Sequence, residues 1–257
     1  MHEGIDGDQN ADKTSAADRL AVEFDAYAAT YDQGVDHLLR RLTGGSSGNP
    51  FIDLKVDWLL RRSQLLLQSG RTDKLNLLDY GCGTGTMLAL LQERRFPGAL
   101  AGCDVSKEML QEAAEHWQGS DLPTLRHVDG PAAPFEDGQF DIVVASSVLH
   151  HVPMNRRDHV YADIVRLVRP KGHICIFEHN PWNPVTQWVV RHTPIDRNAV
   201  LLRPSQLRAG LAKAGASRIK TEYMLFFPPR LTSLRPLDRL LGKLPLGGQY
   251  VVLAVRT

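Results

Sequence analysis

The sequence predicts an α/β protein, a mostly parallel sheet with helices covering both faces. Two observations lead there. From residue 75 onward, apolar runs of strand length alternate with helix-length stretches, and the central runs are near-continuous Val, Ile and Leu, as in strands buried on both faces. Polar side chains then recur at the ends of successive runs, at Asp79, Asp104, Asp129, Ser146 and Glu178. Open sheets of this kind bind their ligands at the carboxyl ends of the strands.

The elements follow in order. Residues 1–17 are polar and read as a disordered tail. Residues 18–42 carry helical periodicity, with Leu20, Phe24, Tyr27, Ala28 and Tyr31 on roughly one face. The run TGGSSGNP at 43–50 breaks that helix, and a second is expected over 52–68 with Ile52, Val56, Leu59, Leu60 and Leu66 turned inward. Strands are then expected at 75–80, 99–105, 124–129, 140–147, 173–178, 218–227 and 249–256. Helices are expected from the glycine loop to about 95, from about 106, near 156–169 and near 204–214. These make one domain over 71–257, and two stretches break its alternation as insertions, 181–203 and 228–247. Both follow strand ends on the same edge of the sheet.

Bulk composition narrows the classes. With 257 residues the chain can bury one sizeable core, and a net charge of +1 from 30 basic and 29 acidic residues gives no field that would gather nucleic acid. Cys82, Cys103 and Cys175 lie far apart with no CxxC spacing, as expected of buried thiols in a reducing compartment. The first residues lack the apolar core of a signal peptide or a membrane span, so a cytoplasmic location is expected.

The stretch LLDYGCGTGTML, residues 77–88, places Gly81, Gly83 and Gly85 between a strand and a helix, where a ligand can touch main chain. Thr86 stands where a dinucleotide loop of the GxGxxG pattern would have its last glycine, which argues against a nicotinamide or flavin dinucleotide and hence against an oxidoreductase. No Lys followed by Ser or Thr trails the glycines, so a P-loop is excluded. Asp104 ends the next strand about twenty residues on, where a carboxylate can accept hydrogen bonds from both hydroxyls of a ribose.

Four blocks in this order, DYGCGTG (79–85), GCDVSKEML (102–110), HVDGPAAPFEDGQFDIVVASSVLHHV (127–152) and LVRPKGHICIFE (167–178), resemble the class I S-adenosylmethionine-dependent methyltransferases of the small-molecule, type 11/12-like branch. The resemblance implies a Rossmann-like, seven-stranded, mostly parallel sheet with helices on both faces, an N-terminal helical flap over 18–70 and C-terminal insertions. It also implies that the last strand inserts antiparallel beside the fifth. The cofactor it implies is S-adenosyl-L-methionine, with S-adenosyl-L-homocysteine as product. On the same basis Asp79, Gly81, Cys82, Gly83 and Gly85 would wrap the methionine part and Asp104 would hold the ribose. Val105 and Met109 would flank the adenine, Asp129 with Gly130 would face its amino group, and Ser146 would touch the methionyl end. FDAYAATYD at 24–32 resembles the flap of the family, with Tyr27 or Tyr31 closing over the cofactor.

Methyl transfer from an activated sulfonium needs positioning of the acceptor and removal of its proton. His150 and His151 after the fourth strand, and Glu178 and His179 at the end of the fifth, are the candidates for that base. Together with His192 these histidines raise a metal reading, but their spacing matches no compact ligand motif, so no metal is expected. An Asn-Pro-Pro-aromatic run after the fourth strand, the mark of adenine methylation, is absent, and nucleic acid is not expected as substrate. The expected acceptor is a small or lipid-like molecule methylated on oxygen or nitrogen, with Asn180 and Trp182 as contacts. The competing reading is a cofactor-binding partner protein that has lost transfer. In the second insertion Leu231, Leu234, Leu237, Leu241 and Leu244 alternate with Arg230, Arg235, Arg239 and Lys243, as in a lid or dimer helix or in a basic helix touching a membrane surface.

Overall fold

The structure is a computed structural model, and it describes residues 25, 50–70, 74–118, 121–196, 198–227, 231 and 234–257. The predicted tail, most of the helix expected at 18–42, and both Tyr27 and Tyr31 lie outside the described residues.

Seven strands form one sheet in the order β3-β2-β1-β4-β5-β7-β6. They are β1 (Leu75–Tyr80), β2 (Gly98–Asp104), β3 (Thr124–His127), β4 (Phe140–Ser146), β5 (Val168–His179), β6 (Ala216–Met224) and β7 (Gln249–Arg256). β1 to β5 pair in parallel, and β7 runs antiparallel to both β5 and β6. The antiparallel insertion beside the fifth strand is therefore as expected. The helices are α1 (Pro50–Gln68), α2 (Thr86–Glu93), α3 (Lys107–Glu115), α4 (Arg157–Leu167), α5 (Pro184–His192), α6 (Pro204–Lys213) and α7 (Arg235–Leu241). The fifth strand is longer than its apolar run, because Val168 already pairs with Phe140 before an irregularity at the Pro-Lys-Gly turn.

Alternate residues of each strand feed two cores. On one face Leu78, Val143, Ile174 and Val252 pack with Tyr161 and Ile164 of α4 and Leu207 and Leu211 of α6. On the other, Leu77, Ile142, Cys175 and Val251 pack with Val56 and Leu59 of α1 and Leu88 and Leu91 of α2. Because both faces are covered, the apolar runs show no alternation in sequence. In the central strands β1, β4 and β5, polar groups near the carboxyl ends are therefore the ones placed to meet a ligand.

Helix α1 is pinned across the second face. Trp58 meets the Phe177 ring edge-on at 5.5 Å and donates to Glu222 at 2.8 Å, while Arg94 pairs with Asp53 and, at 2.7 Å, with Asp57. This anchorage carries the first turns of α1 to the carboxyl edge of the sheet. Of the two insertions, 181–203 holds α5 and a short 3-10 turn, Pro194–Asp196, and the described part of 228–247 holds α7. No described helix is long and apolar enough to cross a membrane.

Candidate functional site

At the end of β1 the chain turns through Gly81 and Gly83 with φ of 75° and 52°. An added Cβ at Gly81 would stand 2.6 Å from Val148, while at Gly83 it would meet nothing within 4 Å. The first glycine is thus required by packing, and the second borders open space where a ligand can lie on the main chain. Cys82 turns its side chain into the core, against Gly102, with Sγ donating to the Gly83 carbonyl at 3.8 Å, and its N–H donates to the Cys103 carbonyl at 3.0 Å.

Asp104 ties the loop to the next helix. Its Oδ2 accepts from the Gly83 N–H at 2.8 Å and its Oδ1 from the Ser106 N–H at 3.0 Å. The Val105 N–H bonds it as well, so of about four acceptor sites on the carboxylate one is left for a ligand hydroxyl. Ser106 caps α3 by accepting from Met109, and Met109 is buried beneath. Val105 is partly exposed and its carbonyl bonds the His127 ring, while Asp129 and Gly130 stand exposed at the end of β3.

Asp79 is buried, and its Oδ1 has no hydrogen-bond partner among the described residues. Burial, and then the charge of Asp104, raises its carboxyl to about 7 against the pull of Lys55. An open glycine cradle, a carboxylate with one acceptor site left and an orphaned buried carboxyl oxygen together fit a polar ligand that brings its own donors.

Lys55 of α1 was missed by sequence reading. It is 4% exposed, and its ammonium donates to the Oγ of Ser146 at 2.8 Å and of Ser147 at 3.2 Å. Burial lowers its pKa to about 8, with Glu178, Asp79 and Asp196 opposing. The available signal was its position three residues after Ile52 and four before Leu59, which puts a cation on the inward stripe. Ser146, expected at a methionyl group, thus takes its hydrogen bond from Lys55, and Ser147 beside it holds a strained φ of 60°.

Beyond β4 lies a cluster that the sequence only partly disclosed. Glu178 is buried, accepting from the Leu149 N–H at 2.8 Å and from His150 Nδ1 at 2.6 Å. Burial opposes its charge, but His150 outweighs this and holds the carboxyl below its usual range. Burial likewise works against a charged His150, yet Glu178 and Asp196 raise it to about 9. Buried in an ion pair with His150, Glu178 is a positioning residue for that ring and not a free base, a correction to the expectation. Asp196, from the insertion, stands 3.4 Å from His150 Nε2 and 3.4 Å from His151 Nε2. The His179 ring lies 5.1 Å from that of His150, and burial, followed by the His150 charge, pushes its pKa down to about 4.

One expected acceptor contact turns out otherwise. Asn180 is fully buried, donating to the Pro245 and Gly247 carbonyls at 3.1 and 2.7 Å and accepting from Trp182 at 3.1 Å. It fastens the 245–248 turn and has no group left for an acceptor. Trp182 is 51% exposed at the head of the insertion. His192 stacks on Trp188 at 4.4 Å, on the exposed side of α5 and apart from the other histidines.

Residues 78–176 match the family model of a methyltransferase domain. Among curated relatives, the chain is 30% identical over 116 residues to a phthiotriol/phenolphthiotriol dimycocerosates methyltransferase of Mycobacterium leprae, covering 44% of this chain and 41% of that protein. It is 30% identical over 136 residues to a demethylmenaquinone methyltransferase of Lactiplantibacillus plantarum, covering 49% and 56%. The chain thus spans about half the length of the curated relatives it matches. Among solved structures, a possible histamine N-methyltransferase of Thermotoga maritima aligns with a TM-score of 0.63 at 14% identity, over 93% of this chain and all of that one (100%). The magnesium protoporphyrin IX methyltransferase of Synechocystis with bound S-adenosylmethionine aligns at 0.58 and 18%, over 96% and 100%. At such identities the likeness is one of fold.

Proposed function

We propose that this chain, whose residues 78–176 match the family model of a methyltransferase domain, transfers a methyl group from S-adenosylmethionine to an oxygen or nitrogen of a small or lipid-like molecule. The observation that carries the reading is the sharing of one sheet edge by two groups of residues. The glycine loop and Asp104 lie on one side of the β1/β4 switch point, and the His150 cluster lies on the other.

S-adenosylmethionine supplies a methyl group already activated on its sulfonium. Residues 81–85 would hold its methionyl part and Asp104 a ribose hydroxyl, with Asp129 near the adenine. The remaining work is to orient the acceptor and remove its proton. Glu178 and His150 are buried against each other and His151 pairs with Asp196, so His179 is the group assigned to that proton. A neutral His179 keeps its lone pair at physiological pH, consistent with its lowered pKa. Exposed Trp182, Trp188 and Leu246 around the same edge favour an acceptor with an apolar part. The names of the relatives support a small or lipid-like class without fixing the molecule.

Calorimetric titration with S-adenosylhomocysteine tests the cofactor half. Wild type is expected to bind and Asp104→Ala to bind at least 100-fold more weakly; no binding by the folded wild type would overturn the reading. Label transfer from S-adenosylmethionine into a metabolite extract tests the acceptor half, and its absence with intact cofactor binding would favour the non-catalytic partner.

A further inference from the structure

We propose that His150, His151 and Asp196 form a binding site for one borderline divalent cation of the zinc class. The Asp196 Oδ1 atom lies 3.4 Å from both His150 Nε2 and His151 Nε2, and a ligand atom from each of the three residues falls within 4.8 Å of the others. Charge-assisted N–H···O bonds are shorter, about 2.7–2.9 Å. Two atoms bound to one tetrahedral zinc at about 2.0–2.1 Å stand about 3.3–3.4 Å apart. The two equal separations therefore have the length of a coordination edge.

A second observation concerns how the His150 ring is held. Its Nε2 is buried and has no partner among the described residues besides the 3.4 Å approach of Asp196, while the Nδ1 of the same ring bonds Glu178 at 2.6 Å. A carboxylate holding one ring nitrogen so that the other presents its lone pair is the usual outer support of a metal-bound histidine. The cluster is also braced from outside: the Val200 N–H donates to the His150 carbonyl at 2.8 Å, fixing the insertion that bears Asp196 against the loop that bears both histidines. Two imidazoles and one carboxylate suit a borderline metal and leave a fourth position for water or a ligand oxygen. If the methyl-transfer reading holds, that position suits an acceptor hydroxyl, whose pKa a bound cation lowers; the cation site itself does not depend on that reading.

The test is direct metal binding by the full chain after chelator treatment, with Zn²⁺ measured by equilibrium dialysis and Co²⁺ by visible absorption. Wild type is expected to retain one equivalent of Zn²⁺ and to give the intense bands of tetrahedral Co²⁺. His151→Ala and Asp196→Asn should each weaken binding at least tenfold, and His192→Ala should not. Circular dichroism establishes that each variant is folded. Failure of the folded wild type to bind Zn²⁺, or undiminished binding in both ligand variants, would overturn the proposal. Titration of the same samples with S-adenosylhomocysteine keeps the two questions apart: metal bound without cofactor sinks only the methyl-transfer reading, and cofactor bound without metal sinks only this one.

Discussion

Asp79 and Gly81, two neighbours at the end of β1, show how single positions trade stability for a site. The buried Asp79 carboxyl has a folded pKa of about 7 against an ordinary 3.8. An acid raised in this way contributes stability below the unfolded value, and that contribution is lost as pH climbs through the folded value. Above pH 7 the loss approaches about 4 kcal/mol, at about 1.4 kcal/mol per unit. Asp79→Asn should therefore melt higher than wild type, with a gain larger at pH 8 than at pH 5, as scanning calorimetry would show. A gain independent of pH would contradict it. At Gly81 the requirement is steric. Gly81→Ala should cost about 2–4 kcal/mol in urea denaturation, from a left-handed φ and the approach to Val148. In a Val148→Ala background the same glycine replacement should cost only about 1–2 kcal/mol, since the clash is relieved and the φ strain stays.

At the scale of elements, the tip of β5 works as a fastening. Glu178 joins it to the loop after β4, and Asn180 joins it to the turn before β7. Asn180→Ala would leave the Pro245 and Gly247 carbonyls short of a donor, and the expected loss is about 2–4 kcal/mol. It should be accompanied by faster amide hydrogen exchange in residues 246–249 than elsewhere in the sheet. Exchange that stays uniform would show that the turn holds without it. The strand ends were legible in sequence as a change from apolar to polar residues. Their division of labour was not, since Asp104, Glu178 and Asn180 all read as polar caps. Only the surroundings separate a carboxylate at the open glycine loop from one ion-paired in the interior and from an amide spent on the turn before β7.

At the scale of the whole molecule, the sheet with its two cores is a rigid frame, and the carboxyl edge is where ionisable groups gather. Lys55, Asp79, Glu178, His179 and Asp196 feel one another's charge although they come from four separate parts of the chain. A ligand that binds the folded form alone should stabilise it by mass action. S-adenosylhomocysteine at about 100 times its Kd is expected to contribute about 2.7 kcal/mol, or about 5–10 °C in Tm for a chain of this size. Asp104→Ala should abolish that shift while retaining the unliganded Tm within a few degrees. The sequence by itself determined the strand and helix order, the parallel core, the glycine loop and Asp104, because each depends on periodicity or on residues within one βαβ unit. Tertiary structure alone decided that Lys55 reaches Ser146, that Glu178 orients His150 and that Asp196 meets both His150 and His151. Those contacts join residues 28 to 91 positions apart or cross between insertion and core, and no local pattern encodes a distance closed by packing.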